Sequence, residues 1–365
     1  MTSARIVRIA TRKSALALWQ ANTVKSLLEG QGIQVELNLV VTSGDKMQRG
    51  ALAEVSLDDP NLPAHLKTGK GLFVKEVQEE ILAGRADLAV HSMKDLPVET
   101  TQGLHVAAVL PRANPADVMI FSPDLLRILK DILGANPLQK TTLEVFQALK
   151  SLDWTGLKPV GTTSARRQGF LRDAFAGAEL DLRVLRGNVD TRLGRAEANE
   201  FSFIMLARAG IDRLNLYHTE SMLTLPAQLS TPAPAQGIVA IECRDNDAQL
   251  KQALSVLNHP HSSLSAAFER TVLWLTGGNC HTALAVHLED RNLTSWAEAR
   301  GLRSSLQMTL ELKAFEDWQT KARTSNHAQL FDDLRRSSLA RSLHTQLLNS
   351  GYDKLMTLRT PDSSE

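Results

Sequence analysis

The chain has 365 residues, 43% of them hydrophobic and 22% charged, and its formal net charge is +1. That length suggests two or three domains, and the composition suits a globular protein with real cores. The near-neutral charge argues against a dedicated nucleic-acid binder.

Residues 5–10 (RIVRIA) read as a short strand. From about Ser14, LALWQANTVKSLLEG repeats apolar residues at three and four, which predicts a helix stopped by Gly30. QVELNLVVT alternates and is β-branched, a strand ending at Gly44-Asp45. Residues 46–72 are polar and irregular, and a loop that long inside a compact unit is usually functional. Phe73 to Leu82 reads as a helix, and ADLAVHS (86–92) and HVAAVL (105–110) as strands. This order predicts a parallel, doubly wound α/β sheet.

Residues 122–157 read as helical, and the α/β pattern then restarts. KPVGTTS (158–164) reads as strand into turn, DLRVLRG and FSFIMLARAG read as strands, and ARRQGFLRDAF and VDTRLGRAEAN read as helices. PAPAQGIVAIECR (232–244) returns to strand character. Beyond about 260 come a helix, a Gly-Gly turn and a strand (HTALAVHLED), a third, smaller α+β unit. No run of 18 or more apolar residues exists and the N-terminus lacks an apolar stretch. No membrane span or signal peptide is therefore expected, and the cytoplasm is the default.

Four stretches carry chemistry. HSMKDLP (91–97) follows a buried-looking strand, so Ser92, Lys94 and Asp95 fall at its carboxyl end, where open α/β sheets bind ligands. A carboxylate there could accept N–H groups and stabilise developing positive charge; the plainer reading is a solvated Lys-Asp turn. From 159 to 250 there are ten arginines and no lysine. Thr162, Thr163 and Ser164 precede Arg166 and Arg167 at one strand-to-helix turn, and Arg186, Gly187 and Asn188 precede Arg192 at the next. Helix N-termini and guanidinium forks together suit a ligand bearing several carboxylates or phosphates. Surface ion pairing explains Arg172 and Arg195 well, and the clusters poorly. Arg12 and Ser14 fall at the first such turn, where Ser14 also suits an N-cap. Cys280 sits in a Gly-rich turn and is a reactive thiol or a small core residue; Cys243 reads as core. The two cysteines have no metal-like spacing, so no metal site and no disulfide framework are expected.

Taken in order, RIATRKSALALWQA, KGLFVKE (70–76), ADLAVHSMKDLP, VGTTSARRQ, LRGNVDTRL, PAQGIVAIECR and GGNC resemble the porphobilinogen deaminase (hydroxymethylbilane synthase) family over about 270 residues. The resemblance implies two periplasmic-binding-protein-like doubly wound domains with the site between them, plus a smaller α+β domain. Its boundaries here are 1–113 with 233–256, then 114–232, then 257–365. It implies an enzyme that condenses four porphobilinogen molecules onto a dipyrromethane cofactor held by a thioether on Cys280. Asp95 is then the catalytic carboxylate, assisting loss of ammonia and stabilising the cation that the next pyrrole α-carbon attacks. Arg12, Ser14, Lys94, Thr162, Thr163, Ser164, Arg166, Arg167, Arg186, Asn188 and Arg192 bind acetate and propionate groups, with Lys70, Ser92, Gly187 and Gln236 assisting. A monomer whose only partner is the small-molecule substrate is expected, with neither nucleic acid nor membrane.

Departures from the family pattern are Asn279 before Cys280, Ala283 in place of a proline, Pro234-Ala235 before Gln236-Gly237, and HLKT before Lys70, which makes Lys67 the candidate lid lysine. The competing readings on the same scaffold are a non-catalytic small-anion binding protein and a LysR-type effector domain. The first has no use for Asp95 or Cys280. The second needs a helix-turn-helix segment and a basic face, which the sequence lacks.

Overall fold

The computed structural model describes residues 6–41, 74–278, 282–299, 302–356 and 358–359. Three sheets organise them.

The first sheet begins with β1 (Val7–Arg12), α1 (Ala15–Glu29) and β2 (Val35–Val40). Ser14 caps α1 by accepting from the Ala17 N–H at 3.4 Å. Ala21, Val24 and Leu28 lie on the buried face of that helix, at the three-to-four spacing that predicted it. α2 (Lys75–Leu82), β3 (Leu88–Ser92) and β4 (Leu104–Val109) follow. The chain then leaves for a second sheet through β5 (Asp117–Phe121). There α3 (Pro123–Leu133), α4 (Thr142–Lys150), β6 (Val160–Gly161), α5 (Ala165–Ala174), β7 (Leu182–Arg183), α6 (Val189–Glu197), β8 (Phe203–Ala207), α7 (Arg208–Arg213) and β9 (Met222–Leu225) succeed one another. β10 (Val239–Arg244) returns to the first sheet, followed by α8 (Ala248–Ser255).

The strand orders are β2-β1-β3-β10-β4 and β7-β6-β8-β5-β9. The doubly wound α/β class is as predicted, but neither sheet is purely parallel. β10 runs antiparallel to β3 and β4, and β5 antiparallel to β8 and β9. Each is the strand by which the chain crosses between sheets, so it enters from the opposite end. Hydropathy marks such a strand as buried without giving its direction.

The helical segment 122–157 earns a structural role. Leu125, Leu129, Val145, Phe146, Leu149 and Trp154 join Phe170, Phe175 and Phe203 in the second core. Within it Phe146 and Phe175 stack at 5.6 Å. Several predicted strands are shorter than the sequence suggested: 158–164 keeps only Val160–Gly161, and 181–187 only Leu182–Arg183. The run 201–210 changes from strand to helix at Arg208, and of 232–244 only Val239–Arg244 is strand.

The third sheet is an antiparallel meander of β11 (Ala283–Glu289), β12 (Asn292–Ala299) and β13 (Leu302–Thr309). It packs under α9 (Pro260–Leu275) and the helices α10 (Leu312–Thr324), α11 (His327–Arg336) and α12 (Ser338–Asn349). Cys243 is fully buried, as expected of a core thiol, and burial pushes it up to about 12. Among the described residues, no helix is long and apolar enough to cross a membrane.

Candidate active site

The carboxyl ends of the parallel strands in both α/β sheets meet around a cleft of about 270 Å³. From the first sheet come Arg12, Ser14, Ser92, Lys94 and Asp95. From the second come Thr163, Ser164, Arg166, Arg167, Arg186, Gly187, Asn188 and Arg192, and Gln236 lines it from the returning crossing. Thr162 is the exception: it is buried, and its hydroxyl accepts the Ser164 N–H at 3.2 Å, shaping the turn from behind. Lys70, Lys67 and Cys280 lie outside the described residues.

Asp95 ends a single 3-10 turn, Met93–Asp95, directly after β3. Met93 is buried and anchors the turn. Gln20 on α1 donates to the Ser92 hydroxyl at 2.8 Å. Arg270 on α9 donates to the carbonyls of Leu96, Pro97 and Val98 at 3.4, 2.6 and 3.2 Å. Burial pushes its guanidinium down to about 10. The third unit thus grips the backbone immediately after Asp95, a contact that sequence reasoning missed.

Seven cationic side chains line the cleft against two carboxylates, Asp95 and Asp190. The seventh, Arg213, was not among the predicted site residues. It sits on the short helix α7, donates to the Gly237 carbonyl at 2.8 Å and lies 5.4 Å from the Trp19 ring centre. Burial pushes Arg192 and Arg213 down to about 10; for Arg192 the neighbouring Arg167 adds to this and Asp95 opposes it. Arg186 is lowered by burial too, and its Nε and that of Arg213 are buried with no hydrogen-bond partner among the described residues. All remain protonated at neutral pH. Charged donors left unsatisfied inside a cleft are costly, and an anionic ligand offsets that cost.

Arg166 and Arg167 behave differently. Both are buried, and both are tied to Asp117, at 2.7 Å and 2.8 Å. Arg172 and Arg195, read as surface ion pairs, lie 3.8 Å from Glu298 and 2.7 Å from Glu200. The third unit abuts the helix that carries the arginine pair. A Cβ at Gly169 of α5 would come within 2.6 Å of Glu298 Oε2 and 3.2 Å of the Trp296 ring, so a larger residue there would displace the Glu298 carboxylate and press on that ring.

A family model described as "Porphobilinogen deaminase, dipyromethane cofactor binding domain" matches residues 7–252. The chain belongs to the porphobilinogen deaminase family. The porphobilinogen deaminase of Legionella pneumophila strain Lens is 39% identical over 287 residues, 78% of this chain and 80% of that protein. The strain Philadelphia 1 protein shows the same identity and coverage. Family membership makes the chain a transferase of porphyrin biosynthesis with a dipyrromethane cofactor. Among solved structures, the probable amino-acid ABC transporter extracellular-binding protein ytmK from Bacillus subtilis is 9% identical, with a TM-score of 0.38 over 70% of this chain and 92% of that one. Likeness at that level adds nothing to the strand orders above.

Proposed function

We propose that the chain is a hydroxymethylbilane synthase, joining four porphobilinogen molecules in turn and releasing the linear tetrapyrrole by hydrolysis. The observation that carries this is one cleft holding a single carboxylate at a strand end, Asp95, within a wall of guanidinium groups. Each porphobilinogen carries an acetate and a propionate, which the planar forks of Arg186, Arg192 and Arg213 suit. Arg12, Lys94 and the hydroxyls of Ser14, Ser92, Thr163 and Ser164 extend that surface, and the N-terminus of α6 at Asn188 adds backbone donors. The same donors fit the carboxylates of a dipyrromethane, anchored on this reading by a thioether to Cys280. When bound, the cofactor supplies the nucleophilic pyrrole carbon that starts the chain.

Asp95 accepts pyrrole N–H groups and stabilises positive charge as the aminomethyl C–N bond breaks and ammonia leaves. The free α-carbon of the next pyrrole then attacks the methylene left by ammonia, a C–C bond forms, and that attacking α-carbon loses its proton as its ring regains aromaticity. A purely binding protein would have the arginines but no need of Asp95. On this reading the domains are 1–113 with 233–256, 114–232 and 257–365, and the two crossings between the sheets form the hinge. The enzyme acts as a cytoplasmic monomer.

The test is to incubate the purified chain with porphobilinogen and quantify ammonia and tetrapyrrole. Four ammonia per linear tetrapyrrole is expected. Saturable binding of porphobilinogen with no ammonia released would leave only the binding protein.

A further inference from the structure

Asp117 opens β5 on the outward crossing between the sheets. It is fully buried and is not part of the cleft wall. Its carboxylate is nonetheless saturated. Oδ1 accepts from Arg166 Nη2 at 2.9 Å, from Arg167 Nε and Nη2 at 3.1 and 2.8 Å, and from Gln236 Nε2 at 3.0 Å. Oδ2 accepts from Arg166 Nη1 at 2.7 Å and from the Ser230 hydroxyl at 2.9 Å. Gln236 in turn accepts from Lys94 Nζ at 3.3 Å, next to Asp95. One buried carboxylate therefore holds the arginine pair of the second sheet, and through one glutamine reaches the lysine beside the reacting carboxylate of the first.

Stability alone does not account for this arrangement. Two guanidiniums on one carboxylate leave a net positive charge in a dry site, and buried ion pairs rarely outweigh their own desolvation. Arg166 Nε is also buried without a hydrogen-bond partner among the described residues. Burial alone would raise the Asp117 carboxyl, but the two arginines hold it far below the usual carboxylate range, so its charge is present whenever the cleft is in use. The uncompensated positive charge lies against the cleft, where Arg166 and Arg167 form part of the wall, with Arg166 Nη1 and Arg167 Nη1 also held by the carbonyls of Thr231 and Met205 at 2.8 and 3.0 Å.

We propose that Asp117 is a positioning residue: it aims Arg166 and Arg167 at substrate carboxylates and, through Gln236 and Lys94, keeps them in register with Asp95. The proposal rests on the carboxylate-binding reading of the cleft given above.

The test is a double-mutant cycle on the full chain, with KM and kcat for porphobilinogen read separately and folding checked by circular dichroism and melting temperature. Asp117→Asn is expected to raise KM at least tenfold in the folded fraction. Combined with Arg167→Leu, it should raise KM by clearly less than the product of the two single effects, because part of the Asp117→Asn loss is the aim of that same Arg167 guanidinium and only the part acting through Arg166 remains. A KM unchanged in Asp117→Asn, or losses that simply multiply, would overturn the proposal. If Asp117→Asn does not fold, Ser230→Ala takes its place, since this buried hydroxyl bonds Asp117 and is not part of the cleft wall. A two- to threefold rise in KM is then expected, and an unchanged KM counts against Asp117 acting this way. Turnover by the wild-type chain tests the functional reading separately. If the wild type releases no ammonia, the same cycle is run on porphobilinogen affinity by calorimetry, with the same outcomes deciding.

Discussion

The two α/β sheets have the same strand order and differ in what they place at their strand ends. In the first, β3 runs into a 3-10 turn that presents Asp95. In the second, the corresponding ends run into helices led by Arg166 and Arg167, and by Asn188 with Arg192 on the next turn. On the proposed function, one half supplies the group that meets developing positive charge, and the other supplies the groups that hold negative charge. The same backbone scheme thus divides labour through the few residues that follow each strand, the places where an open sheet leaves backbone and side chains pointing at a shared crevice.

This division can be broken from either side. The largest expected effect is at Asp95. Asp95→Ala should lower kcat by at least about 100-fold, the scale of a lost acid–base or charge-stabilising group, while porphobilinogen still binds. A variant that binds poorly but turns over normally would reverse the assignment. Arg192→Leu should instead raise KM about tenfold to a hundredfold, the worth of a charge-assisted hydrogen bond, with a smaller fall in kcat. Steady-state kinetics on the two variants side by side decides between the assignments.

The joint between the halves is a third region and should respond in stability. Glu269 on α9 is fully buried and accepts from Arg112 at 2.7 and 3.2 Å, from the Ala235 N–H at 2.6 Å and from the Leu288 N–H at 2.9 Å. It thereby joins both crossings to the third sheet. Burial alone would raise its carboxyl, but Arg112 and His287 bring it down to about 2. A depressed carboxylate stabilises the fold above its ordinary value of 4.5 and loses that contribution as pH falls toward about 2. Glu269→Gln should therefore cost about 3 kcal/mol in urea unfolding near neutral pH, with the gap to wild type closing below pH 4.5. A gap constant with pH would mean that the charge is irrelevant. The smallest effect is at Ala235, an L-residue at φ +59° on the returning crossing. Ala235→Gly relieves local strain but loosens the unfolded chain, so stability should change by at most about 1 kcal/mol.

Much of the cleft was legible because strand-to-turn-to-helix junctions leave a local signature. Arg12, Asp95, Arg167 and Arg186 each sit at or beside the end of a strand where the chain turns, and all four line the cleft. What escaped was set by tertiary contact. Asp117 looks like any acidic residue before an apolar strand, and only the meeting of α5 with the crossing gives it six hydrogen bonds. Arg213 belongs to a helix too short to show periodicity, and Arg270 to a helix buried almost all round. β12, β13 and the last three helices were not read from the sequence, although Asn326 and Ser337 cap the last two helices by accepting the Gln329 and Ala340 N–H groups. The antiparallel direction of β5 and β10 follows from chain routing, which no local pattern records.

The central claim is that this cleft grows a pyrrole chain under the control of Asp95. The most direct measurement is the intact mass of the purified chain, before and after limiting porphobilinogen, followed by peptide mapping. The prediction is a starting mass that includes two linked pyrroles on the peptide containing Cys280, then successive single-pyrrole increments that are absent in Asp95→Ala. An unmodified mass that stays unmodified after porphobilinogen would contradict the account.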